Sequence, residues 1–370
     1  MIVTSVTVRV PAKINLQLAV GPLRPDGYHD LVTVFHAISL FDQVSVAPAA
    51  ADGVTVSGED AGQVPAGNDN LALKAVAALR AAIPRRGAGT RGLASRGAAP
   101  DDTPGVAVTI SKRIPVAAGL AGGSADAAAA LVACNELWGA GLSQQELCEV
   151  AAGVGSDVAF AVLGGTAVGR GRGERLTRAL VPPATYHWVL AFADGHLSTS
   201  EVYGTLDRLR TLPAPGGRSP RMGDSRPPYP PAPGAPGASA ARGAAAASGG
   251  APAGGHAAES AATAPELSTQ LMAALRAGDP RRLGRSLSND LQAPAISMFP
   301  ALRKTLAAGR EFGALGALVS GSGPTCFFLA RSASHATDLA VALSGAGVCR
   351  SVARATGPAP GAAVIVPQAP

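Results

Sequence analysis

Three glycines lie just before an alanine-rich helix in the stretch PVAAGLAGGSADAAAAL, which runs from Pro115 to Leu131. Glycine is a poor helix former and alanine is the best, so a turn with unusual backbone freedom precedes the helix. Helix N-termini carry unpaired N–H groups and the positive end of the helix dipole. Gly119, Gly122 and Gly123 would let a phosphate approach that backbone closely, which predicts a phosphate-binding loop. A plain glycine hinge before a core helix is the alternative.

This stretch differs from two common nucleotide-binding loops. The pattern GxxxxGK[ST] does not occur in the chain, which excludes a Walker A loop. The preceding strand, GVAVTISKRIPV, belongs to a unit with an antiparallel pattern, and no acidic residue follows at the spacing of a dinucleotide-binding fingerprint. The loop therefore indicates a phosphate site of another class.

Two charged residues stand in apolar surroundings. Lys13 interrupts the alternating strand pattern of PAKINLQL, and Asp157 lies among small apolar residues in VGSDVAFAVLGG. A charge in a half-buried element is costly unless it is paired or functional, and each residue alone is more typical of a structural ion pair. Together with a phosphate loop they predict phosphoryl transfer, in which Asp157 accepts the proton of an alcohol and Lys13 stabilises charge.

The bulk composition narrows the class of protein. With 370 residues, the chain is long enough for two domains, and with 47% hydrophobic but only 4% aromatic residues its core must be built from small side chains. A net charge of +6 without a dense Lys/Arg run favours small anionic ligands over nucleic acid. The four cysteines have no metal-site spacing and fit free thiols in a reducing cytoplasm. There is no signal-peptide pattern and no apolar run of about 18 residues, so we expect no membrane partner.

The order of strand and helix patterns predicts two domains, residues 1–180 and 181–370. Alternating strands dominate the first hundred residues, and a second set of strands and helices begins near Ala184. Two segments rich in Ala, Gly and Pro interrupt these patterns. Residues 85–104 predict a flexible insert, and residues 213–265 predict a disordered insert that buries too little apolar surface to fold.

The stretches VPAKINLQL, PVAAGLAGGSADAAAAL and VSGSGPTCFFLA, in this order, resemble the three signature motifs of the GHMP kinase superfamily. Galactokinase, homoserine kinase, mevalonate kinase and phosphomevalonate kinase belong to it. The resemblance covers both predicted domains apart from the two inserts. It implies an α+β fold whose N-terminal domain is similar to domain 2 of ribosomal protein S5 and whose C-terminal domain is ferredoxin-like. It also implies an active site between the domains, ATP as phosphate donor, and Mg²⁺ with ligands that the sequence leaves unknown.

Carried over by motif, the resemblance makes Lys13 and Asp157 the catalytic pair. Asn68 and Asn70 resemble asparagines on the nucleotide side of the family's site, although ordinary helix caps are the alternative. The ATP phosphate loop becomes Pro115, Val116, Ala117, Ala118, Gly119, Leu120, Ala121, Gly122, Gly123, Ser124 and Ala125.

The stretch RPDGYHDLVTVFHAISLFDQV resembles one particular member of the superfamily. That member phosphorylates the 2-hydroxyl of a cytidine diphosphate ester of methylerythritol in non-mevalonate isoprenoid precursor biosynthesis. By this resemblance Asn15, Tyr28 and His29 contact the substrate, with Tyr28 stacking on the cytosine and His29 hydrogen-bonding it. A turn pair after RPDG, without a binding role, is the alternative for Tyr28 and His29.

Two rival functions stay open at this point. One is another kinase of the superfamily, of the homoserine or mevalonate type, and the other is a nucleotide-binding sensor without catalysis. The chain also departs from the family at Ala117, Ala118 and Ala121, where glycine is frequent. Alanine would be strained there if the loop needs positive φ, so we expect the close approach at the glycines. We expect a monomer or a weak homodimer.

Overall fold

The computed structural model of the chain describes residues 5–87, 103–211 and 264–365. Most of the predicted insert at residues 85–104, and all but the last two residues of the insert at 213–265, lie outside these ranges. Within these ranges the chain forms two β-sheets, one of eight strands and one of four.

The larger sheet has eight strands and is built around two long ones, β1 (Val6–Leu23) and β2 (His29–Ala49), which run antiparallel. The remaining strands are β3 (Gly53–Gly58), β4 (Gly105–Lys112), β5 (Thr166–Gly171), β6 (Arg175–Arg178), β8 (Ser288–Asn289) and β12 (Ala363–Val364). Strand order is β12-β1-β2-β4-β3, and β5 pairs with the first half of β2. The length of β2 therefore joins the β5–β6 hairpin to β4, the strand that leads into the glycine loop.

Strand β1 changes character along its length. Val8 and Val10 are fully buried while Arg9 between them is exposed, as the alternating pattern predicts. From Val10 to Leu18 every residue is buried, because both faces of the strand are covered there. Lys13 lies in this doubly covered segment, where a charged side chain needs polar partners.

The larger sheet is contacted by α1 (Leu71–Gly87), α2 (Gly122–Leu137) and α4 (Ser156–Leu163), while α3 (Gln144–Val154) packs on α1 and α4. Helix α2 is the central one, and its four consecutive alanines at 127–130 are fully buried. Their small side chains let the helix pack closely against α1, β1 and β2. A capping box formed by Ser143 and Glu146 begins α3.

The second sheet has four antiparallel strands, β7 (Tyr186–Phe192), β9 (Gly316–Val319), β10 (Cys326–Ala330) and β11 (Ser351–Gly357), in the order β11-β7-β10-β9. With α5 (Thr199–Thr211) after β7 and α10 (Ala333–Gly345) after β10, the unit reads βαββαβ, which is the ferredoxin-like arrangement. This confirms the predicted class of the C-terminal part. Between α5 and β9 lie α6 (Thr269–Ala277), α7 (Pro280–Ser286), α8 (Gln292–Met298) and α9 (Ala301–Glu311).

Two short strands from the second half of the chain join the first sheet. Strand β8 pairs in parallel with Gln17 and Leu18, and β12 pairs with Val8 and Arg9. The predicted boundary at residue 180 falls between β6 and β7, and the larger sheet takes β8 and β12 from beyond it. None of the described helices combines the length and the apolar character that a membrane span requires.

Candidate active site

The Lys13 ammonium is the point at which the three motifs meet. Its Nζ atom donates to Asn15 Oδ1 at 2.9 Å and to the carbonyl oxygen of Gly119 at 3.1 Å. A β-carbon at Gly321, in the third motif, would lie 3.3 Å from the same Nζ. The three separate stretches of sequence thus form one polar cluster around a nearly buried amine.

Asp157 faces this amine from the first turn of α4. Its Oδ2 atom lies 3.8 Å from Lys13 Nζ, and its side chain is 32% exposed. Although its neighbours in the sequence are apolar, Asp157 is only partly buried, because the start of α4 opens into a cavity while the apolar residues after it face the core. A carboxylate in that position can reach a bound alcohol and still attract the nearby ammonium.

The glycine loop lies directly before α2, as the sequence predicts. A β-carbon at Gly119 would collide with the carbonyl oxygen of Ser320, and Ser320 Oγ donates to the carbonyl oxygen of Gly119 at 3.0 Å. Gly119 therefore must be glycine so that the loop can pack against the third motif. The Gly122 end of the loop is the N-terminus of α2, where free N–H groups favour an anion.

Positive φ values in the loop fall on two alanines as well as on one glycine, whereas we expected only the glycines to provide the unusual backbone conformation. Ala117 and Ala121 adopt positive φ values of 52° and 60°, and Gly119 has a φ of 76°. Gly122 and Gly123 instead begin the helix, and neither has a positive φ. The loop thus holds two alanines in the left-handed region, which costs about 1–2 kcal/mol for each.

A cavity of about 670 Å³ is lined by Lys13, Asn15, Asp157 and most of the predicted loop. Its loop residues are Ala117, Ala118, Gly119, Ala121, Gly122, Gly123 and Ser124. Pro115 and Val116 line a small neighbouring cavity of about 90 Å³ instead. Leu120 and Ala125 are buried and line neither. Among the described residues that line the larger cavity, Asp157 provides the one carboxylate.

Asn68 and Asn70 do not line these cavities. Asn70 accepts from the Ala72 N–H at 2.8 Å and donates to the Pro65 carbonyl oxygen at 2.7 Å, so its amide is used at both ends. These hydrogen bonds are typical of a helix cap, which is the alternative to a nucleotide contact for Asn70. A nucleotide contact by Asn68 remains a prediction.

Tyr28 and His29 line a second cavity of about 920 Å³, which shares a border with the first. Tyr28 is 53% exposed, whereas His29 is buried and its Nε2 atom lies 2.9 Å from Asp207 Oδ1. The His29 ring also lies 5.1 Å, between centroids, from the ring of Tyr203 on α5. Tyr203 and Asp207, which the sequence reasoning did not select, are spaced four residues apart and therefore share a helix face.

A buried ion cluster under the loop was also not predicted from the sequence. Lys112 Nζ lies 2.5 Å from Asp42 Oδ2 and 2.8 Å from Asp126 Oδ2, and all three side chains are almost fully buried. Asp42 also accepts from the N–H groups of Arg113 and Ile114, where the chain enters the loop. Because Asp126 lies in the first turns of α2, the cluster ties together both ends of the loop. The pattern Val106, Val108, Ile110, Lys112 placed the lysine on the inward face of β4 and could have revealed it.

The cluster holds more negative than positive charge. Burial is the largest cause that raises the pKa of Asp126, the Asp42 carboxylate acts in the same direction, and Lys112 opposes both. Burial is the largest single influence on the pKa of Lys112 and lowers it, but the charges and hydrogen bonds of the two carboxylates together outweigh burial and raise that pKa. Asp126 Oδ1 is buried without a hydrogen-bond partner among the described residues, which fits a carboxyl that binds a proton readily.

Two family models match the chain. The model "GHMP kinases N terminal domain" matches residues 70–165, and "GHMP kinases C terminal" matches residues 271–349. The first range contains the glycine loop and Asp157, and the second contains the third motif.

Full-length relatives match as well. The chain is 47% identical over 363 residues to the 4-diphosphocytidyl-2-C-methyl-D-erythritol kinase of Nocardia farcinica, which covers 98% of this chain and 97% of the relative. It is also 47% identical over 361 residues to the same kinase of Mycobacterium tuberculosis, covering 98% and 93%.

Two solved structures align with the chain over most of its length. A crystal structure of 4-(cytidine 5'-diphospho)-2C-methyl-D-erythritol kinase aligns with a TM-score of 0.60 at 29% identity, covering 94% of this chain and 98% of that chain. The homoserine kinase of Cytophaga hutchinsonii aligns with a TM-score of 0.62 at 17% identity, covering 99% and 98%, which supports the fold alone. The chain, a small-molecule kinase, belongs to the 4-diphosphocytidyl-2-C-methyl-D-erythritol kinase family within the GHMP kinase superfamily.

Proposed function

We propose that this kinase transfers the γ-phosphoryl group of ATP to the 2-hydroxyl of 4-diphosphocytidyl-2-C-methyl-D-erythritol. The observation that carries the proposal is the pair of joined cavities, one with Lys13 and Asp157 and one with Tyr28 and His29. A substrate with a base at one end and a reacting alcohol at the other needs two such compartments. The names of the relatives point to the same substrate.

Asp157 is the group proposed to accept the proton of the 2-hydroxyl. It is the carboxylate of the reaction cavity, and its partial exposure leaves its oxygens accessible to an alcohol. Removing that proton as the oxygen attacks phosphorus is general-base catalysis. The rigid first turn of α4 fixes the position of the carboxylate relative to the loop.

Lys13 is proposed to offset the negative charge that develops during transfer. Asn15 and the Gly119 carbonyl hold the ammonium in place, and neither of them neutralises its charge. Asn15 therefore supports the reaction chiefly by positioning Lys13, with its own Nδ2 atom fixed on Thr33 at 2.8 Å. A preorganised positive charge of this kind acts where charge appears in the transition state.

ATP fits the glycine loop, because the loop lines the reaction cavity and ends at the N-terminus of α2, whose free N–H groups suit a triphosphate. When bound, ATP would supply the phosphoryl group, and the N–H groups of the loop would hold its phosphates. Mg²⁺ fits in a limited way, since the described residues contain no cluster of three or more acidic, histidine or cysteine ligands. Ser124, which lines the cavity beside the loop, would be a protein ligand, with phosphate oxygens and water completing the shell.

Recognition of the cytosine base is assigned to Tyr28 and His29. The exposed Tyr28 ring offers a stacking face, and His29 is fixed by Asp207. Because an ionised carboxylate only accepts hydrogen bonds, His29 donates from Nε2 to Asp207. In the neutral ring Nδ1 is then an acceptor, which suits the amino group of cytosine.

We also propose a cellular location and an oligomeric state for the protein. A cytoplasmic location is supported by the four cysteines, which are free thiols in the structure. A monomer or weak homodimer without nucleic-acid or membrane partners remains our expectation.

The test is an ADP-release assay with ATP, Mg²⁺ and a panel of alcohols. We expect turnover with the cytidine diphosphate ester of methylerythritol, and little with homoserine or mevalonate. Preferred turnover of homoserine or mevalonate would replace the proposed substrate. Nucleotide binding without turnover of any alcohol would favour a non-catalytic sensor.

A further inference from the structure

Arg172 lies at the border of the two cavities. Both are lined by Leu31, Ser156, Arg172, Ser198, Thr199 and Tyr203, and Arg172 is the one charged side chain that they share among the described residues. The cavity of Lys13 and Asp157 lies to one side of it and that of Tyr28 and His29 to the other. A ligand that extends from one cavity to the other would therefore pass close to this guanidinium.

The local backbone aims Arg172 at the border. It follows β5, whose last residue, Gly171, pairs with Leu31 near the start of β2. Gly171 and Gly173 on either side have positive φ values of 73° and 101°, which lets the hairpin turn back over the cleft. The guanidinium thereby rests over the Tyr28 ring, with its carbon 5.0 Å from the ring centroid.

The charge of Arg172 is not satisfied by a carboxylate. No ion pair formed by the described residues includes Arg172, and its backbone N–H, at 2.6 Å, is the group that contacts Glu174 Oε2. A guanidinium has five N–H donors and matches phosphate oxygens in a bidentate geometry. Its position and free charge therefore fit a phosphate group between a base and an alcohol.

We infer that Arg172 binds the diphosphate of the alcohol substrate and thereby selects substrates that carry a diphosphate between the base and the reacting hydroxyl. The inference rests on the proposed function, because that substrate has its diphosphate between cytidine and methylerythritol. Arg172 is a specificity-determining residue, and it takes no part in the loop that receives ATP.

The test compares cytidine with cytidine diphosphate by titration calorimetry, using the wild type, Arg172→Gln and Arg172→Lys. We expect Arg172→Gln to weaken cytidine diphosphate about tenfold, while cytidine and ATP change by less than about twofold. Arg172→Lys should retain part of the preference for the diphosphate. Arg170→Gln is the matched control, because Arg170 is exposed on the same hairpin and lines neither cavity.

Two outcomes would overturn the inference. An equal loss for cytidine and cytidine diphosphate would mean that Arg172 acts only through the Tyr28 ring. A loss confined to ATP would move the guanidinium to the nucleotide side. Failure of the proposed function is distinguishable from both, because the wild type would then not phosphorylate the cytidylyl ester in the ADP-release assay.

Discussion

Lys13 Nζ lies 3.8 Å from Asp157 Oδ2 but is hydrogen-bonded to Asn15 and to the Gly119 carbonyl oxygen instead. The separation leaves the Asp157 carboxylate free to accept a proton from a bound alcohol. The two charges are therefore fixed as neighbours without using up each other's hydrogen-bonding capacity. Removal of the carboxylate and removal of the ammonium should therefore affect the reaction in different ways.

Asp157→Asn keeps the shape of the side chain and removes the base. We expect kcat to fall by roughly 10²–10⁴, the usual contribution of general-base catalysis. Steady-state kinetics at saturating ATP and alcohol measure the change. Asp338→Asn, at an exposed position on α10, serves as the control. Unchanged turnover of Asp157→Asn would refute the assignment of the base.

Lys13→Met removes the charge and keeps most of the stem. We expect kcat to fall by about 10²–10³, because a preorganised charge stabilises the transition state. ATP affinity, set mainly by the N–H groups of the loop, should change little in a binding titration. Lys304→Met, on the exposed face of α9, is the matched control. An equal loss of ATP affinity and turnover would make Lys13 a nucleotide-binding residue.

Tyr28→Ala removes the proposed stacking face for cytosine. We expect the KM of the cytidylyl substrate to rise by the equivalent of about 1–3 kcal/mol, by analogy with base stacking in single-stranded nucleic acid. Turnover at saturation should stay close to normal. Tyr28→Phe retains the ring and should retain the KM. If the KM is unchanged in Tyr28→Ala, the cytidine assignment loses its main support.

The Lys112 cluster should be essential for stability. Lys112→Met leaves Asp42 and Asp126 buried without their cation, which costs about 3–5 kcal/mol of unfolding free energy. Asp126→Asn removes one of two negative charges that share one lysine, so its cost should be much smaller. Urea unfolding of the two variants gives the comparison. Equal losses would show that Lys112 is not the centre of the cluster.

His36 should make the protein sensitive to acid. It is fully buried, and burial lowers its pKa from 6.5 to about 3. The unfolded chain therefore binds a proton below about pH 6.5 that the folded chain refuses until about pH 3, and stability falls across that interval by up to about 1.4 kcal/mol per pH unit. The raised pKa of Asp126 acts in the opposite direction, so the wild type must be compared with a variant at position 36.

His36→Gln provides that comparison, because an amide can keep the hydrogen bond to Thr166 Oγ1 and does not titrate. Denaturant unfolding between about pH 6 and pH 4 should show that the wild type loses more stability than the variant. Parallel pH profiles of the two proteins would contradict a neutral, buried His36.

The parts of the site that could be predicted from the sequence are those where a residue type is unfavourable in the local secondary structure around it. Lys13 in an alternating strand and glycines before an alanine-rich helix each violate a local preference, and both lie at the site. The exposure of Asp157 could not be predicted, because it depends on how α4 meets a cavity formed by distant segments. The positive φ of Ala117 and Ala121 could not be predicted either, since alanine rarely adopts that conformation and no local sequence signal requires it there.

Residues that act through tertiary contacts were missed for the same reason. Arg172 is unremarkable in the sequence GRGRGE, and only the pairing of β5 with β2 brings it over Tyr28. Tyr203 and Asp207 lie about 175 residues after His29, which they contact. The ferredoxin-like order of the second sheet was predicted through the family resemblance, whereas the strands β8 and β12 that return to the larger sheet were not.

The most direct test of the central claim is the phosphorus NMR spectrum of the product formed from ATP and the cytidylyl ester. The 2-carbon of the alcohol bears a methyl group and no hydrogen, so a phosphate on its oxygen has no three-bond coupling to a proton. We predict one new monoester signal without such coupling, together with an intact diphosphate. A new monoester signal split by neighbouring protons would place the phosphate on another hydroxyl and contradict the account of Asp157 and Lys13 acting at the 2-hydroxyl.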